Sequence, residues 1–217
     1  MAKARIAVLI SGRGSNLQAL IDACADPDYP AEIALVISNR PKAQGLERAG
    51  KAGIKREIIN HKDFATREDF EAALSHALKT AKVDYICLAG FMRVLTASFA
   101  SDWRGRLINI HPSLLPSFEG LHMHERMIDA GVKIAGCTVH FVSAEVDNGP
   151  IIGQAAVPVL PGDDPDKLAE RILEQEHRLY PACLKLLIEG KARLHGGAVN
   201  YDSTVVASGA LINPPAD

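Results

Sequence analysis

Leu107-Ile108-Asn109-Ile110-His111-Pro112-Ser113-Leu114-Leu115-Pro116 is the stretch on which the reading of this chain turns. Apolar residues lead up to Asn109 and His111, and two prolines frame the loop that follows. Residues 107–110 therefore read as a brief buried strand, and Pro112, with no N–H to give a ladder, cannot extend it. Side chains two apart on a strand share a face, so Asn109 and His111 point together into whatever lies beyond the strand's carboxyl end. In open α/β sheets that is where ligands bind. An amide can donate to an oxygen gaining negative charge, and an imidazole can move a proton near neutral pH. The pair points to transfer chemistry at a carbonyl-like centre.

The segments on either side fit such a sheet. Residues 5–10, 33–37, 55–59 and 84–88 read as short apolar strands. Helical patterns separate them at 17–24, 43–52 and 66–80, and a short helix at 97–102 leads into the central stretch. This alternation argues for βαβ units and a mostly parallel twisted sheet with flanking helices, an α/β, Rossmann-like architecture. Further on, a helix is expected at 125–130 and strands at 134–142 and 151–159. Asp164 and Pro165 start a long helix as N-cap and first helical residue, with Leu168, Ile172, Leu173, Leu179 and Tyr180 on its buried face. Glu176 falls on that apolar side, and a buried carboxylate needs a partner. Pro181 is expected to kink the helix. Strand-like pieces follow Gly196-Gly197, and residues 209–217 read as a frayed tail. No repeat or linker divides the chain, so residues 1–200 are expected to form one domain, with 201–217 as a C-terminal tail.

Between the first strand and helix lies Ser11-Gly12-Arg13-Gly14-Ser15-Asn16. A glycine-rich turn there lets backbone N–H groups approach an anion at the helix N-terminus. Ser15 and Asn16 can cap that helix. The turn lacks the Gly-Lys-Ser/Thr of a nucleoside-triphosphate loop. It also lacks a full dinucleotide fingerprint: Leu17 takes the third glycine position, and the next strand ends in Ser38-Asn39 with no acid for a ribose. A lone phosphate ester fits better than NAD or ATP; a tight turn with no ligand is the plain alternative.

Composition narrows the function classes. At 217 residues with a net charge of −2, the chain gives no electrostatic case for nucleic acid or an anionic membrane. Only five apolar residues, 6–10, follow the first basic ones, too few for a signal-peptide core or a membrane span. Cys24, Cys87, Cys137 and Cys183 are scattered and form no CxxC, which fits four buried thiols in a reducing cytoplasm.

Several other residues admit two readings. Arg67 sits in the first turn of a helix, where the dipole does not favour a cation, and a solvated arginine is the simpler one. Residues 89–95 follow a strand end and could line a flat aromatic pocket or pack as core. His122 and His124, with His111, raise a metal alternative, but no complete ligand spacing supports it. Asp147 precedes Asn148-Gly149 and either stabilises its own turn or orients and charges His111.

Taken together, these stretches resemble the folate-dependent glycinamide ribonucleotide formyltransferases of purine synthesis, from residue 6 to about 200. The carriers are Ser11-Gly-Arg-Gly-Ser-Asn16, Gly90-Phe-Met-Arg-Val-Leu95, Asn109-Ile-His-Pro-Ser-Leu-Leu-Pro116, Gly120-Leu-His-Met-His124, His140-Phe-Val and Asp147-Asn-Gly-Pro150. The chain departs from the family pattern at Met123, where a small hydroxyl residue is common, and at Glu119, where proline or a basic residue is usual. The resemblance implies the family's formyltransferase fold, a nucleotide-phosphate half over about 1–105 and a folate and catalytic half over about 106–200. It implies a cytoplasmic monomer or homodimer without a catalytic metal. It implies Asn109, His111 and Asp147 as the catalytic trio, and Gly14, Ser15, Asn16 and Glu176 as nucleotide-binding residues. For 10-formyltetrahydrofolate it implies Arg67 near the tail. Met92, Arg93, Val94 and Leu95 would line the pterin pocket together with Asn109, Ser143, Ala144, Glu145, Val146 and Asp147. The implied reaction moves the formyl group to the amine of glycinamide ribonucleotide.

Three rivals are weaker. Formyltetrahydrofolate hydrolase shares the trio but carries an N-terminal regulatory domain, whereas here the first strand begins at once, and a phosphate turn has a purpose only with a phosphorylated acceptor. Methionyl-tRNA formyltransferase adds a C-terminal barrel and needs a basic face. A non-enzymatic nucleotide-binding module leaves the trio unexplained.

Overall fold

A computed structural model describes residues 2–202 together with 211 and 213. Seven strands form one sheet: β1 (Ala4–Ile10), β2 (Ala31–Ser38), β3 (Arg56–Ile58), β4 (Tyr85–Leu88), β5 (Leu107–His111), β6 (Ile134–Phe141) and β7 (Ile151–Pro158). Their order is β3-β2-β1-β4-β5-β6-β7, parallel from β3 to β5 and antiparallel from β5 to β7. The strand order reverses between β1 and β4, so the carboxyl ends there open a crevice. Strands β8 (Ala192–His195) and β9 (Ala198–Tyr201) form a separate hairpin. Strand β8, ahead of Gly196, is not apparent from the sequence pattern.

Helices α1 (Ser15–Ala25), α2 (Gly45–Lys51), α3 (Arg67–Thr80), α4 (Ala97–Asp102), α5 (Met123–Asp129) and α6 (Pro165–Ile188) flank the sheet. The alternation of β1 decides the sides. Ile6, Val8 and Ile10 meet Leu17 and Leu20 of α1 and Leu168, Ile172 and Leu184 of α6. Ala7 and Leu9 meet Phe70 and Leu74 of α3 and Phe99 of α4. Both faces of the sheet are thus covered, which is why its central strand is apolar throughout. Each large aliphatic chain buried this way contributes about 1.5–3 kcal/mol.

Helix α6 begins as expected. The Asp164 side chain accepts from the Lys167 N–H at 2.8 Å and Pro165 is the first helical residue. The helix continues through Pro181 to Ile188. Its buried stripe carries Leu168, Ile172, Glu176 and Tyr180 at four-residue steps, so the carboxylate is embedded in the apolar face.

The expected capping of α1 by Ser15 or Asn16 is not observed. Gly14 is the N-cap, in the left-handed region at φ 72°, with no side-chain cap. The reason is a close crossing of two backbones. Gly45 donates its N–H to the Gly12 carbonyl at 3.0 Å, and a Cβ on Gly14 would lie 2.7 Å from Gly45 Cα. Only glycine combines that approach with that conformation. The frayed tail expected at 209–217 falls outside the described residues except at 211 and 213. There, the Asn213 amide donates to the carbonyls of Lys133 at 2.6 Å and Val159 at 3.0 Å.

Candidate active site

The carboxyl ends of β4 and β5 and the loops after β4 and β6 enclose a cavity of about 560 Å³. Asn109, His111 and Asp147 all line it. Asn109 and His111 share the face of β5 anticipated from the sequence, and the β6–β7 turn brings Asp147 to them. Asp147 sits at φ 54°, a left-handed conformation that aspartate tolerates better than most residues. Its Oδ2 lies 3.3 Å from His111 Nδ1, with the two side chains only 6% and 12% exposed. The same oxygen accepts from the Gly120 N–H at 3.1 Å. His111 Nε2 lies 3.1 Å from the Phe118 carbonyl oxygen. A carbonyl and a carboxylate only accept. Both ring nitrogens satisfy their partners when both carry hydrogen, which is the imidazolium form.

His140 belongs to the same site and is absent from the sequence-derived site residues. Antiparallel register places it directly opposite Asn109. Its Nδ1 lies 2.9 Å from the Phe141 carbonyl and therefore carries the hydrogen. Its Nε2 lone pair then accepts from the Asn109 amide at 3.2 Å. Burial holds the His140 pKa below the usual histidine range, outweighing the opposite pull of the Phe141 carbonyl and of Asp147, whose Oδ1 lies 3.8 Å from Nε2. One N–H of the Asn109 amide is thus fixed on His140, and the other has no acceptor among the described residues and is available to the cavity. The alternation of Gly136, Thr138 and His140 on β6 was the available signal, but the register that pairs His140 with Asn109 was not in it.

At another part of the wall, Asn16 donates to Glu176 Oε2 at 2.7 Å, supplying the partner that the buried carboxylate requires. Both residues line the cavity. Burial pushes the Glu176 carboxyl above its usual range, and the Asn16 hydrogen bond pulls it partly back. Asn16 Oδ1 is buried and has no partner among the described residues. The pair offers an ionisable carboxylate and an open carbonyl oxygen, suited to a ligand rich in N–H groups. Gly14 and Ser15 are not part of the cavity wall; they begin α1, where the N–H groups of Ser15, Asn16 and Leu17 have no acceptor among the described residues. That arrangement is competent to hold an anion.

Met92, Arg93, Val94, Leu95, Ser143, Ala144, Glu145 and Val146 all line the cavity. Among the described residues, nothing bonds the backbone N–H or C=O of Arg93, Val94 or Leu95. This is an open backbone edge facing a pocket, able to pair with a flat heteroaromatic ring. Arg67 is exposed in the first turn of α3 and does not line the cavity.

His122 is 78% exposed and lies 3.6 Å from Glu125. Among the described residues no three His, Cys, Asp or Glu side chains converge on a metal position. Cys87, Cys137 and Cys183 are buried, whereas Cys24 is only partly so. Burial pushes the Cys24 thiol up to about 11 and those of Cys137 and Cys183 up to about 12, so none is a nucleophile at neutral pH. Among the described residues no helix is long and apolar enough to cross a membrane.

Residues 4–184 match the family model described as formyl transferase. The phosphoribosylglycinamide formyltransferase of Haemophilus influenzae is 43% identical over 96% of this chain and 99% of its own length. That of Escherichia coli is 44% identical over 91% of this chain and 93% of its own. The crystal structure of glycinamide ribonucleotide transformylase 1 from Symbiobacterium toebii superposes with a TM-score of 0.89 at 48% identity, covering 92% of this chain and 94% of that one. A trifunctional purine biosynthetic protein of Drosophila melanogaster is 58% identical over 87% of this chain, which spans 14% of that longer protein. Matched over most of its length by the family model and nearly end to end by the bacterial relatives, the chain belongs to the formyl transferase family, among the phosphoribosylglycinamide formyltransferases.

Proposed function

We propose that this enzyme transfers the formyl group of 10-formyltetrahydrofolate to the amine of glycinamide ribonucleotide, giving formylglycinamide ribonucleotide and tetrahydrofolate in purine synthesis. The observation that carries this reading is the convergence of Asn109, His111 and Asp147 on one cavity that also holds Asn16 and Glu176. The amine-holding pair and the carbonyl-activating trio share a space of small-molecule size. The names of the end-to-end relatives support a transferase rather than a hydrolase.

The nucleotide's phosphate suits the free N–H groups at the start of α1, with Gly14 and Ser15 shaping the turn. Glu176 and the open Asn16 oxygen suit its glycinamide N–H groups. The pterin ring suits the backbone edge of residues 93–95, with the loop 143–147 as the facing wall. Arg67 lies one helical turn before Glu71, which bonds Thr96 at the end of that edge; a guanidinium on that turn suits an acidic folate tail.

In the reaction the acceptor amine attacks the formyl carbon and a tetrahedral oxyanion forms. The free N–H of Asn109 and the imidazolium of His111 donate to that oxygen. The bond from the formyl carbon to the folate nitrogen then breaks. The proton lost by the acceptor nitrogen passes to the departing folate nitrogen, with Asp147 relaying it through a water. Transfer of a labelled formyl group into the nucleotide by purified protein tests the reading; label recovered only as free formate would overturn it.

Glu176 makes a second check possible. Its folded-state pKa is raised, so the ionised form is disfavoured in the unliganded fold. Relative to Glu176→Gln, wild type loses nothing below the unfolded carboxylate value of about 4.3 and loses stability as pH rises through the raised value. Unliganded Glu176→Gln is therefore expected to melt at or above wild type at pH 8, with the gap closing toward pH 4. Its KM for the nucleotide is expected to rise about 10- to 100-fold, the loss of a charge-assisted hydrogen bond. Differential scanning calorimetry and steady-state kinetics check the two halves.

A further inference from the structure

The open backbone edge at residues 93–95 has few internal reasons to hold its orientation. Phe91 and Leu95 are buried and anchor it, but Met92 is 55% exposed and Val94 is 51% exposed. Polar contacts fix it at both ends. At the first, the Met92 N–H donates to Ser11 Oγ at 2.7 Å, and the Ser11 N–H donates to the Gly90 carbonyl at 3.1 Å. The Ser11 hydroxyl passes its own hydrogen to Asn39 Oδ1 at 2.6 Å. Ser11 and Asn39 are 4% and 0% exposed. Asn39 occupies the strand end where a dinucleotide fold would present an acid, and here it turns inward. Its Nδ2 lies 3.2 Å from Nδ1 of His61, whose ring meets the Phe70 ring edge-on.

At the other end, Glu71 Oε1 accepts from the Thr96 N–H at 2.7 Å, and Glu71 Oε2 accepts from the Thr96 hydroxyl. Thr96 Oγ1 in turn caps α4 by accepting from the Phe99 N–H. Glu71 is 5% exposed and follows Phe70 in α3, so both clamps lead back to the same helix. None of Ser11, Asn39 or Glu71 lines the cavity. A buried carboxylate and a buried amide–hydroxyl pair are costly to maintain unless fully bonded, and here both are bonded to one loop.

We propose that Ser11, with Asn39 behind it, and Glu71 are positioning residues for the folate co-substrate, holding the two ends of the 92–96 segment so that the free N–H and C=O groups of residues 93–95 stay aimed at the ring. The proposal rests on the formyl-transfer reading above and adds to it the residues that set the affinity of the folate half. Because the segment they hold lines the folate wall, they govern folate more than nucleotide, Glu71 most selectively, since Ser11 also opens the turn at residues 11–16.

The test is steady-state kinetics on Ser11→Ala, Glu71→Ala and Glu71→Gln beside wild type, varying each substrate in turn. Ser11→Ala and Glu71→Ala are expected to raise the folate KM about tenfold, the loss of a buried hydrogen bond. The nucleotide KM is expected to stay within about twofold, and kcat to fall less than about threefold. Glu71→Gln keeps an acceptor for the Thr96 amide and is expected to recover most of the folate affinity. A merely structural role would move both KM values together with the melting temperature, and would show no such split. A folate KM within twofold of wild type in Glu71→Ala, or in a folded Ser11→Ala, overturns the proposal, as does a parallel rise in both KM values. If Ser11→Ala does not fold, the Glu71 pair decides. Wild type that transfers no formyl group overturns the underlying reading and the proposal with it, and is told apart because the variants are then not needed to see it.

Discussion

Asp147→Asn is expected to lower kcat by about 10³-fold while both KM values stay within a few-fold of wild type. The substitution preserves shape: asparagine tolerates the φ of 54° found here, and its carbonyl oxygen can still accept from the Gly120 N–H. What it removes is the negative charge 3.3 Å from His111 Nδ1. In the proposed mechanism His111 then loses its carboxylate partner at Nδ1, and the relay that returns a proton to the folate nitrogen loses its carboxylate. Both effects act after the substrates are bound. Stopped-flow or steady-state assays at saturating substrates check the size, and a large rise in KM with unchanged kcat would contradict the assignment.

Asn109→Ala is expected to lower kcat by about 10²- to 10³-fold, the usual consequence of losing one well-placed oxyanion donor. The amide has two N–H groups, one committed to His140 Nε2 at 3.2 Å. His140 thus holds the plane of the amide, and in the proposed mechanism the second N–H meets the oxyanion without reorganisation. Alanine removes both and leaves His140 Nε2 without its donor. The melting temperature therefore falls modestly as well, and the kinetic loss has to be measured at a temperature where the variant is folded. An Asn109→Ala enzyme with wild-type kcat would remove Asn109 from the oxyanion site.

The architecture was legible wherever a local rule decided it. Pro112 ended β5, Asp164 capped α6, and the apolar runs of β1, β2 and β4 announced a sheet covered on both faces. Asn109 and His111 followed from a strand period of two. Asp147 did not: its sequence context is equally that of a turn, and only the resemblance singled it out before the structure brought it to His111. His140 stayed hidden because its role depends on antiparallel register between β5 and β6. The capping of α1 was misread because the close contact between Gly14 and Gly45 joins residues about thirty apart, and local helix signals carry no trace of it. The Ser11–Asn39 and Glu71–Thr96 contacts are likewise tertiary, bridging separate βα units. Sequence rules see what neighbours along the chain impose; this site is assembled from the ends of several strands.

On the proposed mechanism one cavity couples folate deformylation to an amine carried by a phosphorylated acceptor. The most direct measurement is release of tetrahydrofolate from 10-formyltetrahydrofolate by the purified enzyme, with and without glycinamide ribonucleotide. Release that requires the nucleotide and matches it in stoichiometry is the predicted result. Release at the same rate without the nucleotide would make water the acceptor and contradict the account.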